Sequence, residues 1–158
     1  MTPTAHIDDD FYGWLLAQAS ALRARGDLPI DWENVAEELE GMGRNEENSL
    51  RSYLEGLLIH LLKYAFQPAK ISASWEASIE GSRLKIGFLL KRSPSLKSKI
   101  DELFEEAYRL ARAHAGAQMR MHKREWDARL PRSCPWPLET VLDPDFWPSP
   151  DGHSNGHN

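Results

Sequence analysis

The side chain best placed to do chemistry in this sequence is His60, an imidazole set among leucines in the run LLIHLL. A buried polar ring must find hydrogen-bond partners. One reading is a packing histidine satisfied by a carboxylate or a backbone carbonyl, which is what buried polar groups generally are. The other is a site. On its own helix His60 shares a face with Lys63 and Tyr64, while Glu55, five residues back, is poorly aligned with it. Partners for a site must therefore come from other helices: Glu37 and Glu38 from an acidic one, and Trp75 and Arg83 from a later one. Trp75, Ile79 and Arg83 share one face at i, i+4 and i+8. Imidazole, carboxylate, guanidinium and indole in one pocket would bind a small anion or carry out acid/base work. An ion pair that only fixes helix packing would draw on the same residues.

Other chemistries fail on spacing. There is no HExxH or HxxxH, and His114 and His122 are eight residues apart, roughly 12 Å along a helix and too far to share one ion. Metal bundles built on three histidines are therefore a poor analogy, and neither a metal nor another cofactor is expected. Helical ribonucleases that place arginine and histidine four to six residues apart on one helix also differ, since eight residues separate Arg51 from His60. Glu33, Glu37 and Glu40 share a face, but an acidic stripe is usually a solvated one. GMGRNE lacks the third glycine and the preceding strand of a dinucleotide fingerprint. Cys134, among prolines and tryptophans with no histidine nearby, reads as structural, and no Ser/His/Asp set has recognisable local context.

Charge is segregated along the chain. Residues 31–48 are acidic (Asp31, Glu33, Glu37, Glu38, Glu40, Glu46, Glu47), and 83–99 are basic (Arg83, Lys85, Lys91, Arg92, Lys97, Lys99). These two faces are expected to pair with each other. A second basic run, Arg109, Arg112, Arg120, Lys123, Arg124, Arg129 and Arg132 with Trp126 interleaved, suggests nucleic acid. The net charge of −5 opposes that reading, because nonspecific phosphate binding needs an excess of positive charge.

The elements that would position these residues are helical. Ala, Leu, Glu, Arg and Lys are plentiful, apolar residues recur every three or four positions, and strand signals are nearly absent. The spacing predicts a first helix over 8–25, capped by Asp8 to Asp10 and stopped by Gly26. A second starts at an Asp31 N-cap, turns Trp32, Val35, Ala36 and Leu39 inward, and ends or bends at Gly41 and Gly43. The third, 44–66, is rich enough in leucine to be central, and Gln67-Pro68 closes it. Two more follow over 74–92 and 96–114, separated by Ser93-Pro94-Ser95. The second of these buries Leu110 among others, and Gly116 ends or interrupts it. A basic stretch, 119–129, continues as an amphipathic helix. From Leu130 onward Pro131, Pro135, Pro137, Pro144, Pro148 and Pro150 exclude long regular structure. Trp136, Leu138, Val141, Leu142, Phe146 and Trp147 are too many apolar residues for a free linker, so this segment should dock as a strap with one helical turn at 138–142.

With 158 residues, 41% hydrophobic and 27% charged, the chain sits near the average for a globular domain and is long enough to close one core without a metal or disulfide. A lone cysteine excludes an intramolecular disulfide framework and favours a reducing compartment. GLLIHLL, Gly56 to Leu62, falls far short of the roughly 20 apolar residues of a membrane span. The acidic N-terminus does not resemble an export signal.

Six stretches together carry a family resemblance: DDDFYGWLLAQASALR, DWENVAEELEGMGR, LEGLLIHLLKYAFQP, SWEASIEGSR, LLKRSPSL and CPWPLETVLDPDFWP. In this order, over about residues 8 to 148, the chain resembles domain of unknown function family 29, found in cyanobacteria and proteobacteria. The resemblance implies a bacterial, all-helical single domain without an assigned activity, so it hands over no catalytic residue. The segment from Gly116 to Arg129 departs from it, being longer and more basic.

The expectation is an all-α, up-and-down bundle of five or six helices closed by a proline-rich C-terminal strap. It forms one domain over 1–148 with a mobile polar tail at 149–158. The expected role is a cytoplasmic, noncatalytic regulatory or protein-interaction domain, with a homodimer or another protein as partner and neither membrane nor nucleic acid. The competing role is a small hydrolase or ligand binder using Glu37, Glu38, His60, Trp75 and Arg83.

Overall fold

A computed structural model of the chain describes residues 6–24 and 31–150. Among them are six α helices, two short 3₁₀ turns and no strand. The helix α1 (Phe11–Arg23) starts where Asp10 accepts a hydrogen bond from the Gly13 amide at 3.2 Å, so the third of the three acids is the cap. The expected stop at Gly26 lies outside the described residues.

At Asp31 the expected cap forms, its carboxylate accepting from the Asn34 amide at 3.2 Å. The helix it opens, α2 (Trp32–Phe66), then runs without interruption for 35 residues. The boundary expected at Gly41 and Gly43 is therefore corrected: two helices are one. A glycine weakens a helix by only about 1 kcal/mol, too little to end one whose flanking Ala36 and Leu50 are fully buried. Val35, expected to face inward, is exposed, whereas Ala36 is fully buried.

A 3₁₀ turn at Pro68–Lys70 leads into α3 (Ala73–Arg92). A second, Pro94–Ser98, takes the place of the expected first turn of the next helix, and α4 (Ile100–Gln118) begins after it. Gly116 neither ends nor interrupts α4. It lets Trp126 pack directly on the helix backbone, where any Cβ would collide with the indole. Leu110 is exposed rather than buried. The expected helical continuation over 119–129 is broken: Arg120 adopts a left-handed conformation (φ 58°), and α5 (Lys123–Arg129) restarts beyond it. The single turn expected in the strap is α6 (Leu138–Leu142).

The described residues form two compact units, one made of those up to Leu50 with Gly87–Ile100, the other of Arg51–Ile86 with those from Asp101 onward. In the first, Tyr12, Leu15 and Ala19 of α1 are buried with Ala36 and Leu50. In the second, Leu54, Leu57, Leu58, Leu61 and Leu62 are fully buried, and the strap adds Trp136 and Val141 to that core. Each large apolar side chain sealed this way contributes roughly 1.5–3 kcal/mol, so the leucine run that reads as central in sequence is the core of this unit. No described helix is long and apolar enough to cross a membrane.

Candidate functional site

Of the five residues expected to line a pocket, His60, Trp75 and Arg83 each have a different partner. Glu37 and Glu38 are exposed on α2, about six helical turns before His60 on the same helix. His60 is half-buried, and its Nδ1 lies 2.8 Å from the Gly56 carbonyl oxygen one turn back. A carbonyl only accepts, so Nδ1 carries the proton and the ring is anchored to its own helix. Trp75 takes the Lys63 ammonium on its face at 4.5 Å from the ring centroid, and burial holds the Lys63 amine below its ordinary pKa. Arg83 is only 8% exposed and turns to the strap. Its guanidinium donates to the carbonyls of Val141 (3.0 Å), Phe146 (2.9 Å) and Pro144 (3.4 Å). Trp147 lies beside it, 5.7 Å from guanidinium carbon to ring centroid. Burial lowers the Arg83 pKa, with Asp143 and Glu80 opposing that shift. Arginine at this position is a clasp: its fork of donors gathers the Val141 carbonyl, which the end of a one-turn helix leaves unpaired, and the Pro144 and Phe146 carbonyls of the segment beyond it.

Arg112 does the same for α5, reaching the Leu130 carbonyl from Nε (3.1 Å) and Nη2 (2.9 Å) and the Asp127 carboxylate from Nη1 (3.1 Å). Lys123 and Arg129 pair with Asp127 and Glu125 one turn away. Several cations of the second basic run are therefore matched locally, which weakens its attraction for phosphate.

The densest polar cluster belongs to the first unit and joins the acidic and basic segments as their charges suggested. Glu46, nearly buried, accepts from Arg92 and from the Ser93 hydroxyl (3.2 Å), and Ser93 Oγ in turn accepts from the Tyr12 amide (3.3 Å). The Tyr12 hydroxyl donates to Glu47, which also pairs with Lys99 at 3.1 Å. Asp10, besides capping α1, accepts from the Ser95 hydroxyl at 2.9 Å. Burial and then the Glu47 carboxylate push the Tyr12 hydroxyl up to about 12. At neutral pH it stays protonated and serves as a donor, so the network locks α1 in place.

A cleft of about 820 Å³ opens in the second unit between α4 and the start of the strap, lined by Tyr108, Arg109, Arg132, Cys134 and Trp136 among others. Tyr108 spends its hydroxyl on the Pro131 carbonyl at 2.7 Å. Burial pushes the Cys134 thiol up to about 11, which leaves it a neutral, poor nucleophile near pH 7. Among the described residues no group of three or more His, Cys, Asp or Glu stands close enough to hold a metal ion.

The buried indole N–H groups of Trp32, Trp126 and Trp136 lack a hydrogen-bond partner, and the surface left unspent on α3 is apolar. Phe88 and Leu84 on α3 are 69% and 61% exposed, more than any other large apolar side chain among the described residues. The inward face of α3 carries Ile79, Ile86 and Leu89, all buried, so the helix is apolar on two opposite faces. That pattern was visible in sequence as apolar residues outside the inward stripe, whereas the Tyr12–Glu47–Lys99 and Glu46–Ser93 links had no local signal because each joins residues far apart in the chain.

The model of a family described as domain of unknown function DUF29 matches residues 7–147. The chain belongs to the DUF29 family. The DUF29 stretches read in sequence now have physical roles: DDDFYGW supplies the Asp10 cap and Tyr12, LLKRSPSL supplies Arg92, Ser93 and Ser95, and CPWPLETVLDPDFWP is the strap held by Arg83. This DUF29 chain is also similar to a solved alpha-helical protein of unknown function from Rhodospirillum rubrum ATCC 11170. The two share 27% identity, the match covers 91% of this chain and 93% of the other, and the TM-score is 0.68. No curated protein matches.

Proposed function

We propose that residues 7–147 act as one noncatalytic protein-interaction domain, with the outer face of α3 as its contact surface. The observation that carries this reading is the pair Leu84 and Phe88, left 61% and 69% exposed in adjacent turns of α3. Holding two large apolar side chains in water forgoes roughly 1.5–3 kcal/mol for each, which a partner covering them would recover. The polar groups that a catalytic reading would recruit support the same conclusion, because Arg83, Glu46, Tyr12 and His60 each have a partner that fixes structure. A cytoplasmic setting is part of the reading and draws support from the lone, unpaired Cys134.

A photo-crosslinking residue at position 88, introduced in the cells that produce the protein, tests this. A discrete adduct is expected that disappears when Leu84→Glu is added, with none from the same residue at exposed Ala128. Equal labelling at 88 and 128 would refute the reading.

A further inference from the structure

Independently of the α3 face, we propose that the cleft between α4 and the start of the strap binds a short free peptide of two or three residues with apolar side chains. The cleft measures about 820 Å³, within the roughly 300–1,000 Å³ usual for ligand sites. Tyr108 and Trp136 line it and are nearly sealed from solvent, and half-buried Phe104, Pro135 and Leu138 line it beside them. Apolar side chains gain by leaving water for such a surface. Five charged residues, Asp101, Glu105, Arg109, Arg132 and Glu139, also line the cleft, and all five are exposed. Among the described residues none of these five side chains makes a hydrogen bond or an ion pair.

The charges are sorted along α4. Asp101, Glu105 and Arg109 follow one another at intervals of four on one face of the helix, which places Arg109 about 6 Å beyond Glu105 and about 12 Å beyond Asp101. On α5 the same interval pairs Lys123 with Asp127 and Glu125 with Arg129, whereas Glu105 and Arg109 stay apart. Arg112 holds the Leu130 carbonyl and Tyr108 holds the Pro131 carbonyl, so Arg132 enters the cleft from the Arg109 end. A ligand that answers both ends carries a carboxylate and an ammonium with an apolar body between them. In a single amino acid these two charges are too close together. Each residue of an extended chain adds about 3.3–3.6 Å, so two or three residues span about 7–11 Å and match the interval between the acids and Arg109. A peptide also has amide N–H groups to donate, and the carbonyls of Arg132 to Trp136 accept no hydrogen bond among the described residues. The carboxylate then sits between Arg109 and Arg132, whose forked donors suit it, and the ammonium lies toward Asp101 and Glu105.

Calorimetry and nitrogen-15 NMR on the full chain test this with the tripeptide alanyl-phenylalanyl-leucine, compared with free leucine and with the same tripeptide acetylated at its amine or amidated at its carboxylate. The free tripeptide should bind at one site with a dissociation constant below about 1 mM, and shift the Trp136 indole signal and the amides of residues 132–139. Blocking either end, or shortening the ligand to leucine, should weaken binding by about tenfold or more, because each loses a charge-assisted contact. In Arg109→Gln with Arg132→Gln, the amidated and free tripeptides should bind equally. In Asp101→Asn with Glu105→Gln, the acetylated and free tripeptides should do so. These side chains hold no other described contact, so both double variants should melt close to wild type, and the blocked peptides put the same question to the unaltered chain. No binding up to about 10 mM, equal binding of free and blocked peptides, or NMR shifts confined to residues outside the cleft would overturn the proposal. So would a preference for free ends that survives in both double variants.

Discussion

Replacing Arg83 with methionine tests whether the strap is held by a charged clasp or by burial alone. The side chain is 8% exposed, and its two short hydrogen bonds run to the carbonyls of Val141 at 3.0 Å and Phe146 at 2.9 Å. A hydrogen bond from a charged donor contributes about 1.5–3 kcal/mol net, so losing both removes about 3–6 kcal/mol. The contact to Pro144 at 3.4 Å adds little. Against this stands the cost of keeping the guanidinium out of water, seen in its lowered pKa and relieved by methionine, which fits the same volume. A net loss of about 2–4 kcal/mol follows, or about 4–16 °C in melting temperature for a chain of this size. Urea unfolding followed by circular dichroism measures the loss. Hydrogen exchange localises it, and amides of residues 138–148 should exchange at least about 30-fold faster. Arg83→Lys keeps the charge but not the fork, so its loss should fall between those of wild type and methionine. A methionine variant within about 0.5 kcal/mol of wild type, with the strap amides still protected, would refute the clasp and leave Trp136 and Val141 as what holds the strap.

Tyr12 provides a test by pH. Its folded-state pKa, raised to about 12 from 10.0 by burial and by Glu47, means that its contribution is complete below about pH 10 and is lost as pH climbs toward 12. Unfolding free energy should fall across that window more steeply in wild type than in Tyr12→Phe, and parallel curves would show that the hydroxyl is not part of the network. Gly116→Ala should destabilise by about 1–3 kcal/mol because the new methyl group collides with Trp126. Most of that loss should vanish when Trp126→Ala is present, and equal losses in both backgrounds, read by thermal melts, would mean that the collision is not the cause.

Sequence alone determined what depends on neighbours in the chain. The helical class, the Asp31 cap, the central leucine run, the break at Gln67-Pro68 and the turn at Leu138 to Leu142 all follow from periodicity and capping, which act over a few residues. The strap was legible because its tryptophans and prolines together allow neither a helix nor a free linker. The break expected at Gly41 and Gly43 does not occur, since a local propensity of about 1 kcal/mol yields to the burial of Ala36 and Leu50 on either side of the pair. Only the tertiary structure decided where the polar side chains go. Arg83 shares a helix face with Trp75 yet reaches carbonyls some sixty residues onward, and Tyr12 meets Glu47 and Ser93 across 35 and 81 residues. Glu38 and His60, candidates for one pocket, ride a single helix that keeps them apart. Partners chosen by packing between distant segments leave no period in the sequence, whereas the residue types at each end, a buried arginine or an acid opposite a base, do show that a partner must exist.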